Sequence, residues 1–344
     1  MDVLVQGLVS LVIARAFVPR ASWLAWAVIV LSGTIANIDF VSSMLSPSVY
    51  LEWHRTYTHS IAFALLSSVS LAAIYFLSTR GGSPEDQTKS TVGALSMSSF
   101  FTAVISAGLI HLALDAGQSA GTMIFWPLNQ HRIGLDWLPR VDPWIIAIVL
   151  GALILPELRR LVSDEIGAKS KGPRGRVGAI VGLILLALYI SLRADFHNNA
   201  VATLQNRSYG GEPPRRVTAY PDAGSLVTWH GIVETDRALH QPIVDVSPNA
   251  KFDPDHGLTL FKPEPSPMLD KAQHSDAARK FLAVAQFPKA DIEKTADGYD
   301  VELRDLKNAA MGETRREVRA QINLDANGKI LGDELVWASV GSRR

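Results

Sequence analysis

Long apolar runs separated by short polar segments fill the first 195 positions of this 344-residue chain, and the remainder alternates apolar and polar residues at the spacing of strands. Apolar stretches lie at about 3–18, 22–38, 60–79, 95–114, 143–158 and 177–193. Most of them approach the ~20 residues that cross a bilayer core, and the first and fifth fall short of it. Backbone groups in lipid must find partners within their own segment, so the stretches should be helices. The pattern predicts an α-helical polytopic membrane domain of about six helices over residues 1–195.

The rest reads as a small soluble α+β domain with an antiparallel sheet, residues 215–344, joined through a linker at 196–214 that ends in Tyr209-Gly210-Gly211-Glu212-Pro213-Pro214. Alternation at Leu226–Val233 predicts a strand, and one amphipathic helix is expected near 270–286, ending before Pro288. Two hairpins are signalled: Asp297-Gly298 separates two alternating runs, and Asp325–Gly328 joins Val318–Leu324 to Ile330–Trp337.

Loop charges orient the membrane part. The 159–176 loop carries Arg159, Arg160, Lys169, Lys171, Arg174 and Arg176 against Asp164 and Glu165, and the first turn carries Arg15 and Arg20. Both belong inside by the positive-inside rule, and alternation puts the nearly neutral 80–94 loop there too. Residues 39–59, 111–142 and everything after about 194 then face outward, so a multi-pass bacterial inner-membrane protein with an extracytoplasmic C-terminal domain is expected. The N-terminal apolar stretch has no Lys or Arg before it, which predicts a retained helix.

Composition narrows the chemistry. Formal net charge is zero, so no overall basic field points to nucleic acid. There is no cysteine, which excludes disulfides and thiolate chemistry and leaves nitrogen and oxygen as the donors for any metal.

Two polar clusters stand where apolar stretches meet loops: His54-Arg55-Thr56-Tyr57-Thr58-His59-Ser60, and His111-Leu112-Ala113-Leu114-Asp115. His111 and Asp115 are four apart on one helix face and can share a cation, or else form a simple hydrogen-bonded pair. An ionisable Asp115 at membrane depth is costly, which marks it as a functional candidate. His54 fits the entry turn and His59 the first helical turn, with Thr58 as a candidate cap. Arg55 reads either as an interfacial anchor or as a guanidinium that binds an anionic substrate. Asp39 ends the second apolar stretch, where the helix dipole disfavours a carboxylate, so a cation is one candidate partner. Asp142, directly before Pro143, reads first as a helix N-cap and second as a ligand. His230, His240, His256 and His274 lack ligand spacing.

His54-Arg55-x-x-Thr58-His59-Ser60, then His111-x-x-x-Asp115, Trp126-Pro127, Asp136-Trp137 and Asp142-Pro143, taken in this order, resemble the YdjM-like family of membrane-bound, metal-dependent hydrolases, some members of which are LexA-regulated. The resemblance covers about residues 1–195. It implies a metal held by some of His54, His59, His111, Asp115 and Asp39; the chemistry of the residues themselves then makes Arg55 the candidate to bind a phosphate and Asp39 or Asp142 the candidate general base if not a ligand. The chain departs from the family pattern at Ala36-Asn37, where a Pro-Asp pair is frequent, and at Trp53-His54-Arg55-Thr56, where His-His-Arg-Gly is frequent. One metal is therefore expected rather than two.

Together these readings predict hydrolysis by metal-activated water at the outer membrane interface. Zinc is the favoured ion, with manganese or iron as alternatives. Membrane lipids would be its surroundings, and an ester or phosphodiester of a lipid or envelope intermediate its substrate. The competing readings are a transport protein whose polar cluster lines an ion path, and an envelope scaffold in which the cluster only ties helix ends together.

Overall fold

A computed structural model describes residues 3–79, 96–165, 175–310 and 316–339. The 80–94 loop and the basic residues Lys169, Lys171 and Arg174 lie outside them. Two compact units are present, one of residues 1–39 and 55–194, the other of residues 40–54 and 195–344.

In the first unit five of the six predicted apolar stretches each fall in one helix, and the sixth, 22–38, is divided between two. The α-helices are α1 (Val3–Phe17), α2 (Trp23–Ser32), α4 (Ile61–Thr79), α5 (Met97–Ala116), α6 (Pro143–Glu165) and α7 (Arg176–Gln205), while α3 (Pro47–Trp53) belongs to the second unit. Three of these, α4, α5 and α7, are long and apolar enough to cross a membrane. The count becomes four if α2 and the 3-10 helix Ile35–Met44, which bends from it by 53°, form a single broken span. The expected single helix over 22–38 is thus two pieces, and Asp39 lies in the second. Gly33 closes α2, its N–H bonding back to the carbonyl of Ile29. Helix α5 packs against α1, α2 and α4. Small polar side chains allow this close approach: Ser32 donates to the carbonyl of Val104 (2.8 Å) and lies 2.8 Å from the Ser68 hydroxyl. Such bonds satisfy hydroxyls that lipid would leave unpaired.

Helix α5 ends at Ala116, and the following segment folds back over that end. The amides of Leu135, Trp137 and Leu138 donate to the carbonyls of Ala116 and Gly117, which a helix terminus would otherwise leave without partners. A short bridge, Thr122 with Ile133, closes the loop.

Among the described residues, the second unit contains two four-stranded antiparallel sheets rather than one. The first runs β1 (Arg216–Pro221), β2 (Thr228–Glu234), β3 (Ala238–Asp245) and β4 (Gly257–Phe261); the second runs β5 (Pro288–Lys294), β6 (Gly298–Asp305), β7 (Arg316–Asp325) and β8 (Ile330–Ser339). Both signalled hairpins occur, as β5–β6 and β7–β8. The expected helix near 270–286 is two short ones, α8 (Pro267–Gln273) and α9 (Asp276–Leu282), because the Ser275 hydroxyl accepts from the Ala278 amide and starts a new helix. Their apolar faces, Leu269, Ala272, Ala278 and Phe281, pack on Val301, Leu303, Ala320 and Ile322 of the second sheet. A further short helix, α10 (Leu306–Ala310), follows β6.

The segment expected to be a linker is structured. Helix α7 continues to Gln205, and Tyr209 and Glu212 exchange backbone hydrogen bonds around Gly210 and Gly211, both at positive φ as a tight two-residue turn requires. Buried Tyr209 then joins a core with Leu204, Trp229, Val233 and Val244.

Candidate metal centre

His59, His111 and Asp115 meet inside the first unit. Each offers one ligand atom and these atoms lie within 4.8 Å of one another; among the described residues this is the one such group, and all three side chains are buried. Two helix ends and one turn bring them together. His111 and Asp115 share a face of the last turns of α5, and His59 stands one residue before Ser60, whose hydroxyl accepts from the Phe63 amide and caps α4. The cap is therefore Ser60. Thr58 instead places its hydroxyl 3.1 Å from His59 Nδ1.

Hydrogen bonds fix which ring atom faces inward. His111 Nδ1 lies 2.9 Å from the carbonyl of Gly33, which can only accept, so Nδ1 carries a hydrogen and the ring turns Nε2 to Asp115. That Nε2 is buried, makes no hydrogen bond, and stands 3.3 Å from Asp115 Oδ2. His59 repeats the arrangement: Nδ1 is 3.1 Å from Asp39 Oδ2, and Nε2 is 3.2 Å from the same Asp115 Oδ2. Two buried imidazole nitrogens thus converge on one carboxylate oxygen. Three Lewis bases so placed repel one another unless a proton or a cation lies among them. Two imidazoles and a carboxylate within 4.8 Å of one another are donors that a divalent ion accepts. The donor set therefore fits a divalent ion, with Asp39 orienting His59 in the way carboxylates hold metal-binding imidazoles.

Arg55 is buried beside the group. Its Nη2 donates to Gln118 Oε1 (2.7 Å) and lies 3.4 Å from Asp115 Oδ1, and its backbone amide donates to Asp39 Oδ2 (2.7 Å). Arg55 adopts a left-handed backbone (φ 58°), and its carbonyl accepts from the Met123 amide, so both sides of the strained residue are pinned. Asp142 sits elsewhere in the unit: Oδ1 accepts from the amides of Trp144 and Ile145, and Oδ2 accepts from the Tyr189 hydroxyl at 2.7 Å. It is the N-cap of α6. His54 caps the C-terminal end of α3 in the second unit, with its ring stacked 4.6 Å from that of Tyr50. The structure thus gathers Asp39, Arg55, His59, His111 and Asp115, and places His54 and Asp142 in other settings.

Three participants escape a reading of motifs alone: Gln6, Asn37 and Gln118. Gln6 Nε2 donates to Asp115 Oδ1 (3.1 Å), Asn37 Nδ2 donates to Gln6 Oε1 (2.7 Å), and Gln118 Nε2 reaches the carbonyls of Pro139 and Arg140. A carboxamide buried inside an apolar helix was the available signal for Gln6, since such a group is costly without a partner. Gly117-Gln118-Ser119-Ala120-Gly121 has the spacing of a nucleophile elbow, but it follows helix α5 instead of linking a strand to a helix.

The profile of the YdjM inner membrane protein family matches residues 1–200, a span that contains every member of this group. No curated protein and no solved structure matches the chain.

Proposed function

The chain belongs to the YdjM inner membrane protein family, and from that premise we propose that it is a membrane-embedded, metal-dependent hydrolase whose ion is held by His59, His111 and Asp115. One observation carries the reading. Both imidazoles have their Nδ1 atoms committed, to Gly33 and to Asp39, so both Nε2 atoms are turned to Asp115 Oδ2. Bound there, a divalent ion supplies Lewis acidity and lowers the pKa of a coordinated water towards 7. Imidazole and carboxylate favour zinc while admitting manganese or iron.

The surrounding residues do the positioning. Asp39 fixes the His59 ring and, through the Arg55 amide, the turn that carries it. Arg55 balances the charge of Asp115 in a site with little water. With Asp142 engaged in capping α6, Asp39 is the better placed of the two to move a proton. An amphiphilic ester or phosphodiester is the substrate class, supported by exposed Tyr57, Phe125 and Leu128 on the two segments that flank the ligands. Those segments are tied together by the Met123 amide on the Arg55 carbonyl and the Ile61 amide on the Ile124 carbonyl. The positive-inside rule supports an outward-facing site and an extracytoplasmic C-terminal unit.

Metal analysis and hydrolysis of ester and phosphodiester reporters by the detergent-purified full chain test the proposal. The expected result is one ion per chain, lost together with activity when His59 and His111 are both changed to Ala. Purified protein without stoichiometric metal, or a double variant with full activity, overturns it.

A further inference from the structure

Asp115 has two oxygens with different surroundings. Oδ2 faces the imidazoles, whereas Oδ1 is met by Gln6 Nε2 at 3.1 Å and by Arg55 Nη2 at 3.4 Å. An ionised carboxylate only accepts, so Gln6 must present its NH2 to Asp115 and its Oε1 the other way. Asn37 completes the chain: its Nδ2 donates to Gln6 Oε1 at 2.7 Å and to the Thr34 carbonyl at 3.1 Å. Each amide orientation is fixed by the next, and the end of the chain is anchored on backbone. Gln6 is also the buried residue whose carbonyl accepts the Ser10 hydroxyl, within a helix whose remaining buried side chains are apolar.

Resting on the metal reading above, we propose that Gln6 and Asn37 are positioning residues that hold Asp115 to a single coordinating oxygen. With Oδ1 occupied by donors from α1 and from the Arg55 turn, the carboxylate cannot rotate to grip an ion with both oxygens. A coordination position stays open for substrate or water as a result. Loosening this chain lets Asp115 swing, which lowers affinity and changes the ion's geometry. Hydrogen bonds to metal-bound carboxylates and imidazoles are commonly worth about tenfold to hundredfold in metal affinity.

The test uses the full chain purified in detergent. Zn2+ affinity is measured by competition with a chromogenic chelator, and the visible spectrum of the Co2+ form reports coordination number. Gln6→Leu is expected to weaken Zn2+ binding by about tenfold to hundredfold and to reduce the intensity of the Co2+ bands, as a shift from four to five ligands does. Asn37→Leu should move both readouts the same way by less, and the double variant should be no worse than Gln6→Leu, because the two residues act in series. A role in packing alone would lower the thermal midpoint and leave affinity and spectrum unchanged, and that result overturns the proposal. Should Gln6→Leu fail to fold, unchanged affinity in Asn37→Leu overturns it equally. Wild-type protein that binds neither ion removes the metal reading and this inference together; normal wild-type binding with indifferent variants removes only the inference.

Discussion

His111 Nδ1 and the carbonyl of Gly33 meet at 2.9 Å, joining the last turns of α5 to the end of α2. The contact depends on the absence of a side chain at Gly33. A Cβ there would lie 2.0 Å from the Ser10 hydroxyl oxygen, 3.1 Å from Ser10 Cβ and 3.4 Å from Ala107 Cβ. The backbone of Gly33 is ordinary for any residue (φ −80°), so the constraint is space and not strain. Gly33→Ala should therefore force α2 away from α1 and loosen the His111 ring, costing about 1–3 kcal/mol as overpacking does. Thermal unfolding in detergent and Zn2+ affinity should both fall. Ser10→Gly in the same chain should restore most of each, and failure of that rescue would show that crowding against Ser10 is not the cause.

Arg55 and Asp115 form a buried ion pair, and removing one partner of such a pair leaves a charge uncompensated at about 3–5 kcal/mol. Arg55→Met is expected to destabilise the metal-free chain by about that amount. On the proposed metal reading, a divalent ion on the other oxygen of Asp115 would take over part of the compensation, so the loss should shrink when Zn2+ is saturating. Unfolding midpoints with and without Zn2+ give the comparison, and equal losses in the two conditions would contradict it.

The contact between Asp142 and Tyr189 tests the capping role of Asp142. Tyr189→Phe removes a donor to a buried carboxylate and should cost about 1.5–3 kcal/mol, while Asp142→Asn keeps an oxygen for the amides of Trp144 and Ile145 and should cost less. Neither should change metal content. An Asp142→Asn chain that keeps its midpoint and its metal but loses hydrolysis would assign Asp142 to the chemistry instead.

The apolar period located the helices of the first unit, but of the about six membrane helices it predicts only three, or four with the bent pair, are long and apolar enough to cross a membrane among the described residues. Sequence spacing also brought His111 to Asp115, since four residues are one helical turn. Period alone is blind to two other things. It did not mark the bend after Ser32, which moves Asp39 from a helix end into a separate 3-10 segment, and it did not divide 270–286, where Ser275 caps a second helix. Alternation identifies strands but not their sheet, so eight strands in two sheets read as one sheet. Gln6 was hidden for a different reason: its partners, Asp115 and Asn37, are 109 and 31 residues away in the chain.

In the second unit, Arg319 is buried between strands with Nη1 on Glu302 (2.9 Å), Nε on Glu317 (2.7 Å) and Nη2 on the Ser339 carbonyl (3.0 Å). Glu317 is buried as well. Arg319→Ala should cost about 3–5 kcal/mol because Glu317 is left charged without its partner. Arg319→Met combined with Glu317→Leu should recover a large part, as apolar replacements of buried pairs do. Hydrogen exchange across β6, β7 and β8 in the full chain reads the effect locally, and a double variant worse than Arg319→Ala would refute the account.

Asp222 gives this unit a dependence on acid. Partial burial alone would push its carboxyl up, but the hydrogen bond with His230 (3.1 Å) and those from the amides of Gly224 and Ser225 outweigh burial and hold it below the ordinary carboxylate range. A folded-state pKa below the unfolded one means that the stabilisation is fully present above the unfolded value of ~3.9 and is lost as pH falls through the folded value. The turn between β1 and β2 should therefore loosen in acid, from about pH 4 downwards. Exchange of the amides of Gly224 and Ser225, corrected for the intrinsic rate at each pH, should speed up over that range in the native chain. Asp222→Asn removes the titrating group but keeps an oxygen for the two amides, so its corrected exchange should be nearly flat with pH. A variant that retains the native acid dependence would place its origin in another group.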